Sequence, residues 1–283
     1  MDVGILHPGS MGSAVGAAVF AGGNTCWWAG EHRSDATRQR ADADGLQDAG
    51  ALQALAERCA IVLSICPPEH ALATATSLID AGFRGLFVDA NAVSPATARL
   101  IGTEVTRPGC RFVDGGIVGG PPRAGGGRTR LYLAGDDAAE VARLFDSTPL
   151  EAVVMDGGPG AASALKMCYA AWTKGTSALL LNIRALARAE GIEEALLREW
   201  QASQPDLLQR SERAASGSAP KAWRWVGEME EIGDTFAAVG LPDGFHRGAA
   251  RLYERLGRFK DQQGVELQSV TDALLEGDVH QDR

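Results

Sequence analysis

The sequence predicts an α/β domain with a doubly wound, mostly parallel sheet, followed by an all-α domain. Three features of its 283 residues carry that prediction. Short apolar runs alternate with helical stretches through about residue 150, as they do when helices cover both faces of a sheet. The first run, residues 3–6, breaks on His7, Pro8 and Gly9 and passes through Ser10, Met11 and Gly12 into alanine-rich sequence. A buried strand looks like this when it turns abruptly into a helix. From Gly160 the character changes: residues 161–190 are glycine-poor and, as one helix at about 1.5 Å per residue, would be about 45 Å long. That helix suits the spine of a separate helical domain, so the expected units are residues 1–158 and 159–283.

In chain order, the opening turn leads into a helix over residues 11–21, closed by Gly22-Gly23-Asn24. Residues 25–29 read as the second strand and Asp35–Ala43 as the second helix, with a short helix over residues 51–58. Residues 60–66 form a near-continuous apolar run, the mark of a strand buried on both faces, and end in Pro67-Pro68. A helix over residues 70–81 stops at Gly82. The strand Leu86–Asp89 leads to Ser94 and Pro95, an N-cap followed by proline at the first helical position. Residues 111–114 are the next strand, then a loop rich in glycine and proline over 115–127, then a strand over 130–135. Beyond the long helix, helical segments are expected at 193–201, 205–215, 221–238, 244–259 and 267–275, ahead of a polar tail.

Composition narrows the function classes. With 45% hydrophobic residues the chain can bury a large core. A net charge of −9 argues against nucleic acid and anionic membrane surfaces, both of which reward basic stripes. Cys26, Cys59, Cys66, Cys110 and Cys168 are scattered without a CxxC pair, which suggests reduced thiols and no metal. Asp2 stands where a signal peptide has basic residues, and no run approaches the ~20 apolar residues that span a bilayer. The expectation is a soluble cytoplasmic protein without membrane or nucleic-acid partners.

At the first strand–helix turn, backbone N–H groups and the positive end of the helix dipole converge, and a phosphate diester can sit there without a side-chain cation. A dinucleotide turn places glycines for the bend, for close approach of pyrophosphate and for helix–strand packing. Gly9 and Gly12 match the second and third, and His7 stands at the first. His7, Pro8, Gly9, Ser10, Met11 and Gly12 are therefore expected to hold a nicotinamide dinucleotide. The end of the second strand meets the adenosine ribose, where an acidic residue suits NAD, and arginine with hydroxyl donors suits the extra phosphate of NADP. Arg33, Ser34 and Arg38 answer the second description and Glu31 alone the first, so NADP is expected ahead of NAD.

Four segments follow one another along the chain: Gly4-Ile5-Leu6-His7-Pro8-Gly9-Ser10-Met11-Gly12, Val88-Asp89-Ala90-Asn91-Ala92-Val93-Ser94-Pro95, Phe112-Val113-Asp114-Gly115-Gly116-Ile117-Val118-Gly119-Gly120, and Gly158-Pro159-Gly160 running on to Lys166. In that order they resemble the β-hydroxyacid dehydrogenase superfamily, which includes 6-phosphogluconate dehydrogenase, hydroxyisobutyrate dehydrogenase and, more distantly, the imine reductases. The resemblance implies a Rossmann domain with Cys66, Pro67 and Asn91 on the cofactor side, Asn91 standing in for a family serine. It implies a substrate loop at Val118, Gly119 and Gly120, a catalytic lysine at Lys166 and a homodimer. Residues after 190 look like the helical C-terminal domain of an uncharacterised branch. Two departures bear on substrate: the family's carboxylate-holding serine is Val118, and its asparagine one turn after the lysine is Ala170, preceded by Tyr169.

Lys166 lies in apolar sequence, and an ammonium in such surroundings exchanges its proton near neutrality. Tyr169, adjacent on the helix, either replaces the asparagine's hydrogen bond or packs. Arg123 and Arg128 suit a carboxylate or phosphate clamp, Arg123 as a substrate contact, unless they are simply solvated. Lys174 is expected to be solvated, and Asp114 to be structural. Trp223, Trp225, Phe245 and His246 line either a pocket or the core. The function expected is an NADP-dependent oxidoreductase acting on a small hydroxy or keto substrate with Lys166 as acid/base; the alternatives are an imine or iminium reductase and a non-catalytic NADPH-binding sensor.

Overall fold

The computed structural model describes residues 1–276, and from residue 277 on the expected polar tail lies outside them. The alternating runs fold as β1 (Asp2–Leu6), α1 (Ser10–Ala21), β2 (Thr25–Trp28), α2 (Asp35–Ala43), β3 (Gln47–Asp48), α3 (Leu52–Arg58), β4 (Ile61–Ser64), α4 (Ala71–Asp80), β5 (Leu86–Asp89), α5 (Pro95–Thr106), β6 (Arg111–Val118), β7 (Thr129–Ala134), α6 (Ala138–Ala142) and β8 (Leu150–Val154). They form one eight-stranded sheet in the order β3-β2-β1-β4-β5-β6-β7-β8. Neighbouring strands are parallel except β6 and β7, which pair antiparallel from Asp114↔Ala134 to Val118↔Arg130.

The expected doubly wound sheet is present, with two strands that local pattern does not mark. β3 is two exposed polar residues paired with Trp27 and Trp28, too short to carry a period. β8 is a half-exposed edge strand. β6 also runs past Asp114 to Val118, because Gly115-Gly116 interrupts the apolar run that normally marks a strand.

Apolar side chains fill both faces of the sheet. On one, Val3, Ile5, Ile61, Leu63, Leu86 and Val88 pack with Val15 and Val19 of α1. On the other, Val62, Phe87 and Phe112 pack with Leu55 of α3, Leu78 of α4 and Ile101 of α5. Ser94 caps α5 as expected, accepting from the Thr97 N–H at 3.2 Å, with Pro95 first in the helix.

Chain packing divides the molecule into Met1–Met167 and a unit beginning at Cys168. The helix α7 (Ala161–Ala189) starts in the first and continues in the second, which adds α8 (Glu193–Ser203), α9 (Leu207–Ser218), α10 (Ala222–Ala237), α11 (Gly244–Arg255) and α12 (Leu267–Leu275). Lys174, expected in solvent, is buried instead. It pairs with Glu228 of α10 and lies 5.4 Å from the Trp225 ring, while its carbonyl accepts from the Tyr253 hydroxyl at 2.7 Å. Its face of α7 packs inside the second unit, and Glu228 supplies the charge that makes burial tolerable. Trp225 meets Tyr253 edge-on, and His246 is buried beside Phe236 and Phe245, so these aromatics form local core, while Phe245 and Trp223 keep exposed edges. Cys26, Cys59 and Cys110 are buried, Cys66 is half-buried and Cys168 exposed, all as free thiols. No helix among the described residues is long and apolar enough to cross a membrane.

Candidate active site

The chain leaves β1 toward β2 on one side and returns to β4 on the other, which opens a crevice at the carboxyl ends of β1 and β4. His7 begins the turn there with φ +62°, the left-handed region that the expected glycine would have occupied freely. Its carbonyl accepts from the Gly9 N–H at 2.7 Å. A Cβ on Gly12 would lie 2.6 Å from that same oxygen, so only glycine lets α1 start this close to the turn. Gly9 is the N-cap of α1; no side chain caps the helix and no acid sits in its first turn. Gly9 and Ser10 are exposed, so the start of α1 is open to solvent. Behind the turn, the Pro8 carbonyl accepts from Arg40 at 3.1 Å, and the Ser13 hydroxyl donates to the Arg40 carbonyl at 3.2 Å. Met11 packs against the sheet core.

A cavity of about 140 Å³ adjoins the turn, lined by Ile5, Leu6, His7, Ala29, Glu31, His32, Arg33 and Leu52. The His7 Nδ1 is buried without a hydrogen-bond partner. Burial, then the Arg33 guanidinium and His70, pull its imidazole down to about 4, so it is neutral at pH 7. Arg33 has no carboxylate partner among the described residues. Arg38 is spent on the protein itself, donating to Asp48 at 3.1 Å and to the Gly30 carbonyl. Ser34 caps α2. An open helix N-terminus, a glycine that permits close approach and a cavity beside them that holds both Arg33 and Glu31 fit a dinucleotide: the turn for its pyrophosphate, the cavity for its adenosine ribose.

At the ends of β4 and β5, Asn91 acts as a brace. Its Oδ1 accepts from the Cys66 N–H at 2.6 Å, and its Nδ2 donates to the Ser64 hydroxyl at 3.1 Å and to Asp89. Burial pushes the Cys66 thiol up to about 11, which keeps it protonated beside Pro67.

β6 meets the first turn of α7. Asp114 accepts there from the Gly160 N–H, the Ser163 N–H and the Ser163 hydroxyl. Three residues along each element, the Lys166 Nζ donates to the Ile117 carbonyl at 2.6 Å. Val118 is buried, and Gly119 and Gly120 start the loop to β7, where the Gly120 carbonyl accepts from Thr129 at 2.7 Å. Arg123 and Arg128, both in that loop, are engaged elsewhere: Arg123 forks onto Asp44 at the end of α2, and Arg128 onto Glu151 at 2.7 Å. Tyr169 is 49% exposed and Ala170 is buried. Sequence reading missed Ser163, the Ile117 carbonyl and Asp44. Each meets its partner across 49 to 79 residues, and no local spacing marks such a pair.

Residues 187–256 match a domain of unknown function (DUF1932). A curated relative, an uncharacterised 28.5 kDa protein of the 7S RNA 5′ region of Methanothermus fervidus, is 28% identical over 165 residues, 58% of this chain, which spans 62% of that relative's length. Among solved structures, the conserved protein MTH1747, of unknown function and described as similar to 3-hydroxyacid dehydrogenases, is 28% identical with a TM-score of 0.69, over 92% of this chain and 98% of that one. Two others share the fold. The 3-hydroxyisobutyrate dehydrogenase of Mycobacterium tuberculosis, solved with L-serine, is 17% identical (TM-score 0.72; 96% and 98% covered), and a Streptomyces aurantiacus imine reductase is 20% identical (TM-score 0.54; 96% and 99%). The model of the NAD binding domain of 6-phosphogluconate dehydrogenase matches residues 2–148, more than half the chain and the whole of the turn, cavity and brace described above. The protein therefore belongs to that family and carries its NAD(P)-binding domain.

Proposed function

We propose that this protein is an oxidoreductase that uses NADP and transfers hydride between nicotinamide and a small hydroxy or keto substrate, with Lys166 as general acid/base. What supports this most is the seat of Lys166, whose Nζ lies 2.6 Å from the Ile117 carbonyl, one residue before Val118 and the Gly119-Gly120 loop. Lys166 is the first lysine of the chain, and only Lys174, Lys221 and Lys260 follow among 27 lysines and arginines. The first unit thus uses arginine for its other fixed cations and keeps lysine at one position, where an ammonium can pass a proton and a guanidinium cannot.

When bound, the dinucleotide supplies or accepts the hydride. In reduction, Lys166 gives a proton from Nζ to the substrate oxygen as charge develops there; in oxidation it takes that proton back. Asn91 and Cys66, tied to each other past the ends of β5 and β4, would help to hold the dinucleotide, and Gly119, Gly120 and Arg123 belong to the loop proposed for the substrate. Tyr169, one turn along α7 and just before Ala170 at the family's asparagine position, offers a hydroxyl in that asparagine's stead. Arg33 and Ser34 favour the 2′-phosphate of NADP, since Arg33 is the cavity's guanidinium and makes no ion pair among the described residues, while Glu31 of the same cavity lies against His32.

Residues 159–283 are assigned as the substrate and dimerisation domain. Tyr169, Trp172, Leu179 and Leu186 leave exposed apolar side chains at spacings of three and seven along α7, the seam of a helix that packs on another helix. A homodimer follows, and a monomer by light scattering at micromolar concentration overturns it. The free thiols fit a reducing, cytoplasmic setting.

One observation favours a second reading. Val118 cannot donate a hydrogen bond to a substrate carboxylate, which suits an imine or iminium substrate. NADPH oxidation against parallel panels of keto acids and cyclic imines decides between them. Activity on neither panel, with tight NADPH binding, would point to a cofactor-binding sensor instead.

A further inference from the structure

We propose that Asp114 is the positioning residue of Lys166, fixing the first turn of α7 from β6 so that the ammonium is held at the β6 carboxyl end. The proposal rests on the reading of Lys166 as proton donor. The first N–H groups of an α-helix have no partner within the helix. In α7 they are met from a strand far back in the chain: Asp114 Oδ2 accepts from Gly160 N–H at 2.9 Å and from Ser163 N–H at 3.1 Å, and Oδ1 accepts from the Ser163 hydroxyl at 2.6 Å. Asp114 is fully buried. Burial pushes its carboxyl up, and these hydrogen bonds pull it back.

Two rungs join the elements. Asp114 holds Ser163; three residues on along β6 and three along α7, the Ile117 carbonyl holds Lys166. Between them lies Gly116, where a Cβ would meet the Ala162 carbonyl oxygen at 2.7 Å and the Lys166 Cβ at 3.1 Å. The strand and helix are therefore in contact along the stretch that ends at the ammonium. A capping carboxylate ordinarily only starts a helix. Here the next turn of the same helix carries the proton-transferring group, and misplacing such a group by about 1 Å costs on the order of 100-fold in rate.

Four lysines make the full chain suited to [13Cε]lysine labelling, with the Lys166 signal assigned by its loss in Lys166→Met. Asp114→Ala is expected to lower kcat about 100-fold per NADPH-binding site while the NADPH Kd stays within about twofold, and to move the Lys166 signal toward that of exposed Lys221. Asp114→Asn can keep all three hydrogen bonds, its oxygen accepting from both N–H groups and its amide donating to Ser163. It should restore kcat to within about fivefold and return the signal, a rescue that bears on geometry rather than charge. Should Asp114→Ala fail to fold, Ser163→Ala, which removes one bond, and Gly116→Ala, which pushes α7 outward, carry the same test through kcat and the Lys166 signal. Unchanged kcat and an unmoved signal in these variants overturn the proposal, as does a loss of NADPH affinity in step with kcat. If Lys166→Met itself turns over normally, the proton-donor reading fails, and the lysine signal still reports whether Asp114 fixes the side chain.

Discussion

α1 and α7 each start just after a glycine in the first unit, and the molecule treats their N-termini oppositely. At α1 the N-cap is Gly9, no side chain closes it, and the first turn holds no acid. At α7 a buried aspartate from another strand takes two N–H groups and a hydroxyl. An uncapped end on a rigid strand keeps its partial positive charge for a visiting anion. A capped end has used that charge internally, and gains a fixed position for whatever side chain the helix carries. One helix thus begins open, as the proposed cofactor seat requires, and the other begins closed, as a fixed Lys166 requires.

The open end breaks most easily at Gly12. Gly12→Val should raise the NADPH Kd about 100-fold or more by titration calorimetry, because its Cβ must displace the His7 carbonyl and with it the start of α1. Unchanged affinity would mean that the open turn is not where the dinucleotide sits. Arg33→Ala sharpens the contrast at the ribose cavity. Loss of one charge-assisted contact to a 2′-phosphate is expected to weaken NADPH by roughly 10- to 100-fold and leave NADH untouched. Equal losses for the two cofactors would assign Arg33 to the shared part of the molecule.

The smallest effect is expected where the substrate loop is tied to α2. Arg123→Ala should cost about 0–1 kcal/mol in urea unfolding at pH 7, since the guanidinium is half exposed. The Arg123 guanidinium holds the Asp44 carboxyl below its usual value of 3.8. The pair's contribution is therefore full above 3.8 and lost as pH falls through the lowered folded value. Wild type and variant should converge in acid, and a gap that persists there would point to packing rather than charge.

The sheet and the β1–α1 turn were legible because their signals are local. Gly9 and Gly12 sit at fixed offsets from an apolar run, Ser94-Pro95 marks a helix start, and Leu267–Leu275 is as long in the structure as in the pattern. β3 and β8 were hidden by being short, polar or at an edge, where few residues alternate. The site was legible as residue types but not as partners. Asp114 carries no sign that Ser163 lies above it, and Arg123 none that Asp44 will claim it. Lys174 looked like a surface lysine because Glu228, which allows its burial, is 54 residues away.

The most direct measurement is paired calorimetry and turnover on Lys166→Met, with whichever keto acid or imine the wild type reduces. Lys166 touches β6 and plays no part in the α1 turn, so NADPH should bind within about twofold of wild type. Turnover should fall by about 10³-fold or more, at the upper part of what one positioned proton donor contributes. Turnover at the wild-type rate, with NADPH bound, would contradict the assignment of this helix to proton transfer.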